Sequence, residues 1–316
     1  MFSQTTGRPA RRSVNGADVA RWLRRESGIV RLVSFNGQRI GVLKDQRVVD
    51  VTGLVPGDDL QWPPVMMIRT IACFPDLAAK LAEVAQAEEG VPLSAVQLTA
   101  PVQWPNKVIA YPTNYDDHIT EMRSSGRSDR LGFFLKANSS LCGPADPIVL
   151  PEIDGREVHH EAELAIIIGR EGRHIAVADA LRYVFGYTCL IDVTVRGSQE
   201  RVMRKSFDTF CPIGPAIVTS DEIPDPDALD ISLRVNGEPR QDGNTRNMIL
   251  GVAEMISLAS SVSTLQPGDV IATGTPAGVG PLRDGDVVSV SIAGIGELTT
   301  HVVQGTGGSN RAFETR

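Results

Sequence analysis

Residues 160–169 read His-Glu-Ala-Glu-Leu-Ala-Ile-Ile-Ile-Gly, and few folds can accommodate such a run. It is short, β-branched, apolar and closed by glycine, the pattern of a buried strand. Yet Glu161 and Glu163 head it, and side chains at i and i+2 of a strand point to the same face. Two carboxylates forced together beside an apolar core repel each other, and burying them is costly unless something compensates. The next apolar run, Gly186-Tyr-Thr-Cys-Leu-Ile-Asp-Val193, delivers a third carboxylate, Asp192, between Ile191 and Val193. An acidic pair alone is ordinarily a solvated face or half of a salt bridge. Asp192 inside a hydrophobic run favours the other reading, because a lone buried Asp is expensive. Three oxygen donors on two strands, with no Cys or His among them, suit Mg²⁺ or Mn²⁺.

The 316 residues allow one large domain or two smaller ones, and 42% hydrophobic against 22% charged content supports a packed core. A net charge of −7 argues against a nucleic-acid partner, which would leave a basic footprint. It does not exclude a small anionic substrate, since local Lys and Arg can dominate a cleft. No uninterrupted apolar run spans a bilayer, so no membrane role is expected. Cys73, Cys142, Cys189 and Cys211 show no metal or disulfide spacing and read as reduced thiols of a cytoplasmic protein.

Along the chain, residues 1–28 form a basic arm expected to be poorly ordered, with no apolar segment of a signal peptide. Residues 29–103 read as a small α+β domain. A hairpin turns at Asn36-Gly37, a third strand covers 46–51, and a helical stretch lies within 64–88. From 104 to 304 short β-branched runs alternate with Gly and Pro turns. Only Ala178–Phe185 and Asn247–Ser261 look helical. The expectation is an α+β, mainly β fold, a mixed β-sandwich roll, followed by a flexible tail over 305–316.

Four further clusters bear on chemistry. His118 and Glu121 share a helical face at i, i+3, where a carboxylate can fix the imidazole tautomer and raise its basicity. Arg196 and Gln199 follow Asp192 as the chain leaves its strand and suit a substrate carboxylate, the arginine bidentately. Lys205 precedes a turn braced by Pro and Gly and suits an anion. The run Gly268–Gly280 matches neither a phosphate-cradling nor a dinucleotide motif, and reads as a tight turn presenting N–H groups and the Thr275 hydroxyl. Taken singly, the first reads as a polar turn at the surface, the second as an exposed Arg and Gln, and the third as a solvated Lys.

In order, these segments resemble the fumarylacetoacetate hydrolase family from about Lys107 to Val303. The motifs are Asn-Tyr-x-x-His-x-x-Glu at 114–121, Phe-Phe-Leu-Lys at 133–136, His-x-Glu-x-Glu-Leu-Ala, and Gly-Tyr-x-x-x-x-Asp at 186–192. Arg-x-x-Gln at 196–199, Lys-Ser-Phe-Asp-Thr-Phe at 205–210 and Thr-Gly-Thr-Pro within 267–280 follow. The resemblance implies a dimeric β-roll enzyme holding Mg²⁺, Mn²⁺ or Ca²⁺ on Glu161, Glu163 and Asp192. It makes His118 and Glu121 a catalytic dyad, adds Lys205, and sets Arg196, Gln199, Thr275 and Tyr115 around the substrate. It also marks residues 119–131 as the place of a lid. One departure stands out: the family's Gly before Asn-Tyr is replaced here by Ala110-Tyr-Pro-Thr.

The expected activity is metal-dependent hydrolysis of a C–C bond in a 2,4-dioxo acid of the acylpyruvate or fumarylpyruvate kind, from aromatic-compound catabolism. His118 deprotonates water, Lys205 steadies the oxyanion, and Arg196 and Gln199 hold a carboxylate. Isomerisation of a hydroxy-diene-dioate or decarboxylation of oxaloacetate draws on the same electron sink. A non-catalytic binding protein of the same fold is the remaining alternative.

Overall fold

The computed structural model describes residues 31–122, 126–153, 155–306, 310 and 313. The basic arm at 1–28 and most of the 305–316 tail lie outside the described residues.

The two apolar runs that flank the acidic residues form the centre of a large, mostly antiparallel sheet. Ala162–Ile168 pairs with Val184–Ile191, Glu163 lying opposite Leu190. Every residue of both strands is buried, which is why the sequence there is continuously apolar instead of alternating. On one face Leu164, Ile166 and Ile168 join a core shared with a second sheet and the helix Val252–Val262. On the other, Ala165, Ile167 and Leu190 join a core closed by the helix Met66–Ala87. Phe74 of that helix stands edge-on to Phe185, ring centroids 4.9 Å apart. The fold is thus α+β and mainly β.

Beyond this centre, Val184–Ile191 pairs with Cys211–Thr219, which pairs in turn with Arg31–Phe35. The sheet therefore runs without a break through the boundary expected near residue 103. Its other side continues through Val270–Ala272, Val108–Ala110 and Phe134–Lys136. The hairpin at Asn36-Gly37 has both residues at positive φ, 44° and 96°, as an Asn-Gly turn favours. A smaller sheet of five strands includes Asp230–Val235, Val287–Ile292 and Gly296–Gln304.

Both helices expected in this half are corrected in detail. Ala178–Phe185 is a 3-10 helix over Val177–Tyr183, and Phe185 belongs to the next strand, where Val184 already pairs with Ile168. The helix expected from Asn247 begins at Val252, because Asp227 accepts the Val252 N–H and Glu254 accepts the N–H of Gly251. Within the expected tail, Phe313 is buried and its ring lies 5.6 Å from that of Phe207.

Candidate active site

Strand parity builds the acidic cluster. Glu161 and Glu163 lie on the face of Ala165 and Ile167, at the end where Ala162–Ile168 begins. Asp192 lies one residue past Val184–Ile191, on the face of Leu190, and its N–H donates to the Glu161 carbonyl at 2.8 Å. One oxygen from each of the three buried carboxylates falls within 4.8 Å of the others. Converging buried anions of this kind require positive charge. Lys205 Nζ supplies part of it, donating to Glu161 Oε2 at 2.5 Å and Asp192 Oδ2 at 2.6 Å. Lys136, fully buried in its side chain, pairs with the other Asp192 oxygen. Arg196 Nη1 lies 3.1 Å from Glu161 Oε1, and its Nε and Nη2 are buried without a hydrogen-bond partner among the described residues.

This asymmetric pairing pulls the two glutamates apart. Burial pushes Glu161 up, but the charges of Lys205 and Arg196 outweigh it and hold the group well below the usual carboxylate range. Glu163 is pushed well above that range, first by burial and then by the charge of Asp192. Burial lowers Lys205, but Asp192 and Glu161 outweigh it and leave its pKa raised. Glu163 is therefore the carboxylate left under-compensated, its one hydrogen bond among the described residues coming from the Gly274 N–H at 2.8 Å. An all-oxygen donor set of this size, with Lys205 as its stand-in cation, fits a hard divalent metal ion.

The dyad assembles beside it. His118, on the short helix Asp116–Glu121, is buried, and its Nδ1 lies 3.0 Å from Glu121 Oε2. Glu121 Oε1 accepts the Gly278 N–H at 2.9 Å, which leaves the carboxylate to accept from Nδ1–H. Asn114 fixes the helix to the glycine-rich loop: its amide donates to the carbonyls of Thr273 and Leu250, and Leu250 N–H and Ser128 donate back. Gly274 adopts φ 89°, and a Cβ there would meet Asn114 Cβ at 2.7 Å. Glycine is thus what lets this turn present its N–H to Glu163.

Two residues that sequence reasoning passed over complete the arrangement. Lys136 of Phe-Phe-Leu-Lys is one, and a lysine ending an apolar strand was its signal. Gln241 is the other, in a segment, Glu238–Asn244, with no strand-like pattern. Its Nε2 donates to Thr275 Oγ1 at 2.7 Å and the Pro276 carbonyl at 2.8 Å. Its Oε1 accepts from Ala162 N–H at 2.9 Å and lies 3.2 Å from His160 Nδ1. Because Thr275 Oγ accepts from Gln241, its own proton is free to point elsewhere.

These groups line a cavity of about 380 Å³. His118, Glu161, Glu163, Arg196, Lys205 and Thr275 all face it. Asp192, bonded to Lys205, and Gln199 are outside the lining. Tyr115 is buried, its hydroxyl without a hydrogen-bond partner among the described residues, and its pKa is raised by burial and then by Glu163. The unusual Tyr111, Pro112 and Thr113 form part of the wall. Tyr111 is anchored by donating to the Met255 carbonyl at 2.6 Å.

A family model described as the fumarylacetoacetate hydrolase C-terminal domain matches residues 107–303. Maleylpyruvate hydrolase of Aquipseudomonas alcaligenes is 40% identical over 282 residues, 85% of this chain and 98% of that one. The crystal structure of maleylpyruvate hydrolase from Sphingobium sp. SYK-6, in complex with manganese(II) and pyruvate, is 49% identical. It superposes with a TM-score of 0.81 and covers 87% of this chain and all of that one. A mitochondrial oxaloacetate tautomerase of Rattus norvegicus is 42% identical over 225 residues, 67% of this chain and 71% of that one. The chain belongs to the fumarylacetoacetate hydrolase family. Like these relatives it is an enzyme, and its acidic triad can hold a metal ion.

Proposed function

We propose that this enzyme hydrolyses a C–C bond in a 2,4-dioxo acid of the acylpyruvate type, using a divalent cation held by Glu161, Glu163 and Asp192. The observation that carries this reading is that His118, Glu161, Glu163, Lys205 and Arg196 line one cavity, with Glu121 bonded to His118 and Asp192 to Lys205. Identity of 49% to a maleylpyruvate hydrolase supports it. A divalent cation at the triad supplies Lewis acidity toward the substrate's oxo and carboxylate oxygens. With Nδ1–H committed to Glu121, His118 presents Nε2 as the proton acceptor for water. Once the proton has moved, Glu121 stabilises the imidazolium. Lys205 Nζ, already among the carboxylates, is the cation nearest to negative charge that develops over the triad. The unpaired Nε and Nη2 of Arg196 offer two donors to the substrate's carboxylate. Thr275 O–H, freed by Gln241, adds a donor from the cavity lining.

Magnesium in place of manganese, a homodimeric assembly, and a cytoplasmic setting complete the proposal. No helix among the described residues is long and apolar enough to cross a membrane, and all four cysteines are free.

The test is a panel of an acylpyruvate, a fumarylpyruvate-like diketo acid, oxaloacetate and a hydroxyhexadienedioate, assayed with Mg²⁺ or Mn²⁺. Ultraviolet loss of the enol chromophore and product analysis are the readouts. Cleavage of a diketo acid to pyruvate or its homologue is expected, and His118→Ala lowers kcat by roughly 10²–10⁴ while metal binding persists. Turnover confined to oxaloacetate, or isomerisation without cleavage, would replace hydrolysis by the corresponding reading. An unchanged rate in the variant would mean that another base acts.

A further inference from the structure

We propose that Arg201 and Arg204 form a second anion subsite, one that selects 2-oxo acids carrying a distal carboxylate. The inference deepens the diketo-acid reading and rests on it. Both arginines line the cavity with Arg196. They lie three apart on the turn Arg201–Arg204 and so share a face. Among the described residues, the site's carboxylates pair with Lys136, Lys205 and Arg196, and neither Arg201 nor Arg204 has an ion pair. Arg204 is held in place instead by backbone: its Nε donates to the Gln199 carbonyl at 2.8 Å and its Nη1 to the Val195 carbonyl at 3.2 Å. Such a guanidinium is oriented in advance but keeps its full charge, the arrangement that favours an incoming carboxylate.

The charge balance points the same way. Four carboxylates, the triad and Glu121, stand against the five cations Lys136, Lys205, Arg196, Arg201 and Arg204, and a bound divalent cation would add two further positive charges. One substrate carboxylate, met by Arg196, does not offset this excess. Burial lowers the pKa of Arg204, Glu161 draws it back, and the neighbouring charges of Arg196 and Arg201 lower it again. Three guanidinium groups therefore share the cavity lining within reach of one another's charge, where a second anion relieves their repulsion. A monocarboxylate leaves Arg201 and Arg204 unused.

Calorimetric binding to the manganese-loaded, full-length enzyme tests this without requiring turnover, with pyruvate and 2-oxoglutarate as the two probes. Wild-type enzyme is expected to bind 2-oxoglutarate more tightly than pyruvate. Arg201→Gln is expected to cut that advantage by roughly 10- to 100-fold, the worth of a hydrogen bond to a charged group. Arg201→Lys, which keeps the charge, retains part of it. Equal affinity of the two probes in the wild type overturns the proposal, and so does an equal loss for both in Arg201→Gln. Failure of the diketo-acid reading looks different: no C–C cleavage in the panel, with the order of the two affinities preserved.

Discussion

Glu163 shows most directly how one residue's surroundings decide its chemistry. It shares a face with Glu161, yet Lys205 and Arg196 pair directly with Glu161, while Glu163 feels Lys205 only as a nearby charge, outweighed by burial and Asp192, and accepts one backbone N–H among the described residues. The face shared by the two glutamates was legible from their spacing of two, and Asp192 from its place inside an apolar run. Lys136 left only the signal of a lysine ending an apolar strand and Gln241 left none, since the partner of each lies on a segment distant in sequence. His160 gives a test at this scale. It is fully buried, and burial lowers its pKa to about 4 while the hydrogen bond to Gln241 opposes the shift. The unfolded chain's imidazole takes a proton near 6.5, so between about pH 6.5 and about 4 the unfolded state binds more protons. Stability contributed by neutral His160 is present above that window and is lost as pH falls through it, by up to about 3 kcal/mol. In urea unfolding, the stability gap between wild type and His160→Asn should therefore shrink as pH drops from about 7 to about 4. A gap independent of pH would contradict this account of the buried imidazole.

At the scale of elements, the apolar runs located both central strands, because strands buried on both faces carry an unbroken apolar signature, but Val184–Ile191 begins two residues before the run at 186–193 and ends before Asp192. Ile166 lies in the middle of Ala162–Ile168, fully buried, and pairs with Tyr187 and Ile271 on its two neighbours. Ile166→Ala should cost about 2–5 kcal/mol in chemical denaturation, and lower the denaturation midpoint without changing the slope. A loss below about 1 kcal/mol would mean that the core collapses around the gap. Where local propensity and tertiary demand disagree, the pattern misleads. Ala178–Phe185 has helical composition, but Val184 and Phe185 are claimed by the pairing with Ile168 and end the helical turns early. Glu238–Asn244 has little strand propensity and becomes a strand through its pairing with Asp230–Val235. Thus the strands that position the carboxylates were readable, while the one that positions Thr275 was not.

At the scale of the whole molecule, the site lies where several segments converge on one end of the sheet. The central strands deliver the triad, the Asn114–Glu121 segment the dyad, the Gly268–Gly280 loop its backbone donors, and the turn at 201–204 the arginines. The convergence itself was foreshadowed by motif order and by no single motif. The N-terminal strands extend the same sheet, and the helix Met66–Ala87 closes the core under Ala165, Ile167 and Leu190, on the sheet face that carries the triad at its end. The central claim is that a divalent cation on Glu161, Glu163 and Asp192 is indispensable to C–C bond cleavage. The most direct measurement is the initial rate of diketo-acid cleavage in enzyme stripped with a chelator and then titrated with Mn²⁺. The account predicts no activity in the stripped enzyme, recovery that saturates near one ion per chain, and no recovery in Glu163→Ala. A full rate in the presence of the chelator would contradict it.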